Sequence, residues 1–139
     1  MSMSPLYTAI ATASGRDGRA ASNDGKLDVA VALPKELGGD GLGTNPEQLF
    51  AAGYAACFAS AMKLVAGGMK LDVSDAAVTA EVGLKPNGSG GFALEVVLRA
   101  ELPDTISAED GERLLEATHQ VCPYSNATRG NIPVSLVRE

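Results

Sequence analysis

The sequence predicts an α+β fold built on a mostly antiparallel sheet. Three observations carry that expectation. Apolar residues recur at period two in several separated stretches, the pattern of half-buried strands. Between them, one long stretch is apolar on nearly every helical face. The resulting order of strands, buried helix, hairpin, helix and strand lacks the regular alternation of a parallel α/β fold. At 139 residues the chain suits one domain, 1–139, able to shield about two thirds of its unfolded surface, and 45% apolar residues supply a core.

The first strand is expected over Leu6 to Ala13, ending where Ser14-Gly15-Arg16-Asp17-Gly18 brings turn chemistry. Asn23-Asp24-Gly25 signals a hairpin, after which Leu27, Val29, Val31 and Leu33 alternate up to Pro34. Gly38 to Asn45 is a glycine-rich loop. It lacks the Gly-Lys-Ser/Thr ending of a phosphate cradle and the full dinucleotide fingerprint, so its glycines read as loop flexibility. Thr44-Asn45-Pro46-Glu47-Gln48 opens a helix, with a capping side chain, proline at the first helical position and an acid and an amide next. The helix is expected to reach about Ala66 and to end at Gly67-Gly68.

Val78, Ala80, Val82 and Leu84 alternate into the turn-rich Lys85 to Gly91, and Phe92, Leu94, Val96 and Leu98 resume beyond it, which predicts a long hairpin. Pro103-Asp104 stops the hairpin, and Ser107 with Asp110 resembles a capping box. Leu114, Leu115, Thr118 and Val121 give the second helix its apolar stripe, and Pro123 ends it just after Cys122. A turn-rich stretch, Tyr124 to Asn131, then precedes a last strand over Ile132 to Val137.

Seventeen acidic against eleven basic residues give a formal net charge of -6, and no stretch concentrates the bases. Phosphate-driven nucleic-acid binding lacks its electrostatic footprint, and acidic lipid surfaces are equally poor partners. Met-Ser-Met-Ser-Pro at the N-terminus has neither a basic start nor an apolar run, and the longest apolar run, Leu49 to Met62, is too short to cross a bilayer. The expectation is a cytoplasmic protein with no nucleic-acid or membrane partner. In that setting a permanent disulfide between the two cysteines, Cys57 and Cys122, would be unusual.

Taken alone, Cys57 among alanines and beside Phe58 reads as an inert core thiol. Burial raises a thiol pKa, and Cys57 lies about three turns from the start of its helix, so the dipole helps little. Reactivity needs a cation, for which Arg16 is a candidate, although a solvated turn arginine is the plainer reading. Glu47 is likewise explained as an acid complementing the helix dipole. Glu47 and Cys57 stand about 15 Å apart along a helix axis, so joint service requires a bridging arginine, a distorted helix end or two subunits.

Cys122 sits at a helix end, where local rearrangement is cheapest, and otherwise reads as a second buried thiol. His119 lies three residues earlier on the same face and is read as a hydrogen-bonded structural residue, outside the catalytic set. One histidine and two distant cysteines make no compact ligand cluster, so no metal is expected, with a carboxylate-rich site as the alternative left open.

Three segments resemble the organic hydroperoxide resistance proteins of the Ohr/OsmC family: Gly15-Arg16-Asp17-Gly18, Asn45 to Phe58 (NPEQLFAAGYAACF) and Val121 to Asn131 (VCPYSNATRGN). The last is closer to the organic hydroperoxide resistance branch than to the osmotically induced branch. The resemblance covers nearly the whole chain in order and spacing. It implies an OsmC-like fold, antiparallel sheets packed on a long buried central helix, and an intertwined homodimer with sites near the subunit interface. It places the peroxidatic role on Cys57, the resolving role on Cys122, and the family's arginine and glutamate on Arg16 and Glu47. It also implies an organic hydroperoxide substrate and no bound cofactor, with recycling by an external dithiol, dihydrolipoamide or a lipoylated protein.

On that reading, a guanidinium near Cys57 stabilises the thiolate and the charge developing on the peroxide oxygens, while Glu47 orients Arg16 through a bidentate pair. The apolar residues Phe50, Tyr54, Phe58 and Met62 are read as a pocket for alkyl chains, with core packing as the alternative. Two further readings compete: a redox-responsive ligand-binding or sensor protein using the same cysteines without rapid turnover, and hydrolysis by a Cys122–His119 pair.

Overall fold

The structure, a computed structural model, describes residues 3–139 and contains two compact units, Met1–Leu49 and Phe50–Glu139. The first holds a three-stranded antiparallel sheet in the order β1 (Ala11–Ala13), β2 (Gly18–Ser22), β3 (Asp28–Val31). β1 is shorter than the expected Leu6 to Ala13 because β2 ends at Ser22, opposite Ala11. The pairing runs out after the Ile10 carbonyl, which accepts from the Asn23 N–H at 2.9 Å, and Leu6, Tyr7 and Ile10 stand exposed. The turn at Asn23-Asp24-Gly25 is held by Asp24 Oδ1, which accepts from Ser22 Oγ at 2.6 Å and from the Lys26 N–H at 3.0 Å. Gly25 there has φ 75°, a conformation that favours glycine.

After a 3-10 turn at Lys35–Leu37, the chain returns to the edge of β3 through a parallel bridge between Val31 and Thr44. The predicted helix start follows directly. Asn45 Oδ1 accepts from the Gln48 N–H at 2.8 Å, and Pro46 is the first residue of α1 (Pro46–Met69).

α1 has 24 residues and does not end at Gly67-Gly68. Each glycine weakens a helix by about 1 kcal/mol relative to alanine, a cost the packing of Ala66 and Met69 against the core outweighs. The actual stop uses Lys70 at φ 58°: the Leu71 N–H donates to the Ala66 carbonyl at 2.9 Å and the Lys70 N–H to the Gly67 carbonyl at 3.3 Å. The extra length also corrects the estimate from the apolar run. With a mean hydropathy of 1.6, α1 is long and apolar enough to cross a membrane by length and composition alone. Core helices meet the same criterion, and α1 buries Tyr54, Phe58, Ala61, Met62 and Ala66 in the core of the second unit.

That core is built on β4 (Ala77–Pro86), β5 (Phe92–Glu101) and β6 (Val134–Arg138). β4 and β5 form the predicted hairpin, in register from Ala77 opposite Glu101 to Pro86 opposite Phe92. Asn87 Oδ1 stitches its loop by accepting from the N–H groups of Ser89 and Gly91, at 2.9 and 3.0 Å. β6 pairs with β5 in parallel, so the second sheet is mixed, while the other three strand pairings are antiparallel, in keeping with the mostly antiparallel arrangement expected. Two helices intervene between β5 and β6, the kind of crossover a parallel return requires. The α+β architecture is otherwise the one expected.

α2 (Ala108–Val121) begins at Ser107, whose Oγ accepts from the Asp110 N–H at 3.1 Å. It buries Leu114, Leu115, Thr118 and His119, while Val121 points outward, contrary to its expected place in the apolar stripe. The stretch expected to be turns contains a third helix, α3 (Pro123–Thr128). Proline explains both the stop and the start. It holds Cys122 in an extended conformation, φ -60° and ψ 124°, which ends α2, yet it is itself well suited to the first position of a new helix.

Candidate active site

Arg16 lies in the loop between β1 and β2, flanked by Gly15 at φ 132° and Gly18 at φ 138°. Its guanidinium grips the Glu47 carboxylate with both arms, Nη1 to Oε1 at 2.7 Å and Nη2 to Oε2 at 3.2 Å. This is the fork-on-carboxylate geometry that fixes the plane of a guanidinium as well as its distance. Glu47 occupies the first turn of α1, so the acid that complements the helix dipole also holds the arginine. The bond to Glu47 raises the Arg16 pKa further, and Arg16 stays cationic at any physiological pH.

The second unit brings the two cysteines together. Cys57 from the middle of α1 and Cys122 from the α2–α3 junction are free thiols with their sulfurs 3.5 Å apart. Cys122 is fully buried, and Cys57 is half-buried. The Cys122 backbone is anchored on both sides: its N–H donates to the Thr118 carbonyl at 2.9 Å, and its carbonyl accepts from the Asn126 N–H at 3.0 Å. The two sulfurs thus already stand close together while the Cys122 backbone is held in place.

Burial pushes the Cys57 thiol up from its ordinary value, the backbone N–H of Tyr124 pulls it down, and the neighbouring Cys122 pushes it up again. Tyr124 had no place among the candidates read from sequence. Its signal was Pro123: proline has no N–H, so Tyr124 supplies the first amide after Cys122. Beside Cys57 an open groove of about 770 Å³ runs between Ser60, Ala61, Lys63 and Leu64 of α1 and the pair Val121 and Pro123. Its walls differ from the pocket expected from sequence. Tyr54, Phe58 and Met62 are sealed in the core, and Phe50 packs partly buried against it. Aromatic and long apolar residues are most favourably used where their whole surface leaves water, which accounts for these side chains in the core.

His119 makes no bond to Cys122. Its Nδ1 lies 2.8 Å from Ser125 Oγ, and burial pushes its pKa down, so it is a hydrogen-bonded member of the core.

The family profile of OsmC-like proteins matches residues 38–137 of this chain. The chain belongs to the OsmC-like family. Among its relatives, the organic hydroperoxide resistance protein of Xanthomonas axonopodis pv. citri is 54% identical, over 94% of this chain and 93% of that one. The crystal structure of an organic hydroperoxide resistance protein from Elizabethkingia anophelis, with thiocyanate bound, superposes with a TM-score of 0.92 at 50% identity, covering 99% of each chain. That of the organic hydroperoxide resistance protein OhrB of Bacillus subtilis has a TM-score of 0.87 at 41% identity, covering 97% of this chain and 100% of its own. In this OsmC-like chain the family profile takes in Glu47, Cys57 and Cys122, and Arg16 lies in the stretch before it.

Proposed function

We propose that this protein is a thiol-dependent peroxidase that reduces organic hydroperoxides to alcohols. The observation that carries the reading is the pair of reduced sulfurs 3.5 Å apart, one fully buried and the other beside an open groove. The names of its relatives point to the same substrate class.

The Cys57 thiolate attacks the terminal oxygen of the hydroperoxide. A sulfur–oxygen bond forms, the oxygen–oxygen bond breaks, and the leaving alkoxide takes a proton to become the alcohol. Cys57 is then a sulfenic acid. Cys122 sulfur attacks it, the disulfide forms and water departs. An external dithiol of the dihydrolipoyl type exchanges with the disulfide, returning both thiols and leaving oxidised as a cyclic disulfide. A dithiol that can close a five-membered ring suits this exchange because its second sulfur completes the reduction intramolecularly.

The Cys57 thiol, pushed up by burial, needs a positive charge to ionise near neutrality. We assign that charge to Arg16 and the task of orienting it to Glu47, which grips it with both oxygens. The working form in this proposal is an intertwined homodimer in the cytoplasm, with no bound cofactor or metal.

The deciding experiment measures consumption of cumene hydroperoxide with dihydrolipoamide as reductant. The parent protein should turn over and Cys57→Ser should be inactive. Undiminished turnover by Cys57→Ser overturns the proposal. A disulfide that forms without multiple turnovers supports the sensor reading instead.

A further inference from the structure

We propose that Tyr54, Ser125 and His119 form a buried clamp that holds Cys122 in striking range of Cys57, which makes His119 and Ser125 positioning residues for disulfide closure. The inference rests on the peroxidase reading above. It comes from a hydrogen-bonded chain that the reaction itself does not use. His119 Nδ1 lies 2.8 Å from Ser125 Oγ, Ser125 Oγ lies 2.8 Å from Tyr54 Oη, and Tyr54 Oη lies 3.0 Å from Thr128 Oγ1. Thr128 Oγ1 closes the chain on the Ser125 carbonyl at 3.3 Å. All four side chains belong to buried residues.

Each hydroxyl carries one hydrogen, and that count sets the direction of the chain. Thr128 donates to the Ser125 carbonyl, so it accepts from Tyr54. Tyr54 has then given its hydrogen and accepts from Ser125, which in turn accepts from His119. The imidazole therefore carries its hydrogen on Nδ1, and Nε2 is the nitrogen that takes up a proton at lower pH. In this direction every bond is satisfied, and any member left unpaired in so buried a place would be costly.

The clamp is placed symmetrically about the sulfurs. His119 is three residues before Cys122, Ser125 is three residues after it, and Tyr54 is three residues before Cys57 on α1. It thus ties together the end of α2, the start of α3 and the helix that carries the other cysteine. Arg129 fastens the same corner by donating from Nη1 to the His119 carbonyl at 2.8 Å. Bond formation requires the sulfurs to close from 3.5 Å to about 2.05 Å, a movement side-chain rotation can supply only while the backbones stay in place. Holding two reacting groups so close is worth orders of magnitude in effective concentration, and a slack of about 1 Å forfeits much of it.

The test separates the two chemical steps. Full-length reduced protein is mixed with one equivalent of cumene hydroperoxide, and rapid acid quench with intact-mass analysis follows sulfenic acid formation and disulfide closure. His119→Ala and Ser125→Ala should slow closure by about tenfold or more while sulfenic acid forms within about twofold of the parent rate. His119→Asn, whose amide can donate to the same hydroxyl, should restore most of the closure rate. Tyr54→Phe keeps the buried ring, removes only the hydroxyl, and should slow closure even if the alanine variants fold poorly. Parent-like closure in Tyr54→Phe and His119→Ala overturns the inference, as does equal slowing of both steps. Failure of the parent protein to form the Cys57–Cys122 disulfide would instead sink the peroxidase reading.

Discussion

The ring of Tyr124 lies so close over Gly53 that a Cβ at position 53 would stand 2.6 Å from the tyrosine oxygen and 3.2 and 3.3 Å from two ring carbons. Gly53 is therefore a fitted surface of α1, four residues before Cys57, on which the first aromatic residue of α3 is laid. The backbone N–H of the same tyrosine pulls the Cys57 thiol down from the value that burial gives it.

Gly53→Ala should expel the Tyr124 ring without moving that N–H, because hydrogen bonds of Asn126 to Cys122 and of Arg129 to Ser125 hold the backbone of α3. Crowding costs about 1–3 kcal/mol and alanine's better helix propensity returns about 1 kcal/mol, a net cost of about 0–2 kcal/mol, so the melting temperature should fall by at most several degrees. With three tyrosines and no tryptophan, tyrosine absorbance and fluorescence report the expelled ring directly. An unchanged pH profile of Cys57 alkylation is expected, and a shifted one would mean that the ring itself positions the amide.

Removing the partner sulfur should leave the first oxidation intact and block its resolution. In Cys122→Ser, exposed to excess alkyl hydroperoxide, Cys57 should gain first one and then a second oxygen, visible by intact mass and localised by peptide mapping. A protein that stays reduced under those conditions would contradict the assignment of the two roles.

Loss of the cation should be read on the thiol. Arg16→Ala should raise the midpoint of Cys57 alkylation by about 1 to 3 pH units and slow oxidation correspondingly. Arg16→Lys keeps the charge without the fork, and Glu47→Gln keeps the fork without the charged partner, so both should fall between alanine and the parent. Identical alkylation profiles in all four proteins would remove Arg16 from the mechanism.

Acid should destabilise the fold through His119. Burial is the main cause that holds its pKa below the ordinary 6.5, helped by Arg129 and opposed by Glu116. The unfolded chain takes up the proton first, so the stability contributed by the neutral ring is present above about pH 6.5 and lost as pH falls through the lowered folded value. Urea unfolding between pH 7.5 and pH 5, about a unit or more either side of the histidine range, should show this loss in the parent and a flatter profile in His119→Asn. Parallel profiles would place the acid sensitivity elsewhere.

Features encoded by a few neighbouring residues were legible from sequence. Asn45 with Pro46, Ser107 with Asp110 and the Asn87 to Gly91 turn act through bonds spanning at most a few positions, the alternation of β4 and β5 is a pattern within each strand, and each appears where the local rule places it. The resemblance of the cysteine-bearing segments singled out Cys57 and Cys122, although nothing local to either distinguishes a reactive thiol from a core one.

What only the tertiary structure decided involves partners far apart in the chain. β6 runs parallel to β5 because of where α2 and α3 deliver it, and α1 outlasts its two glycines because Ala66 and Met69 have a core to enter. Val121 faces the groove while His119 goes inside, since Ser125, itself bonded to Tyr54, supplies the hydrogen bond that makes a buried imidazole tolerable. Sequence by itself determined the elements and the chemically capable side chains. Packing alone decided that residues 65 positions apart place their sulfurs 3.5 Å from each other, because a contact of that kind is specified by the sum of many burial energies and by no short motif.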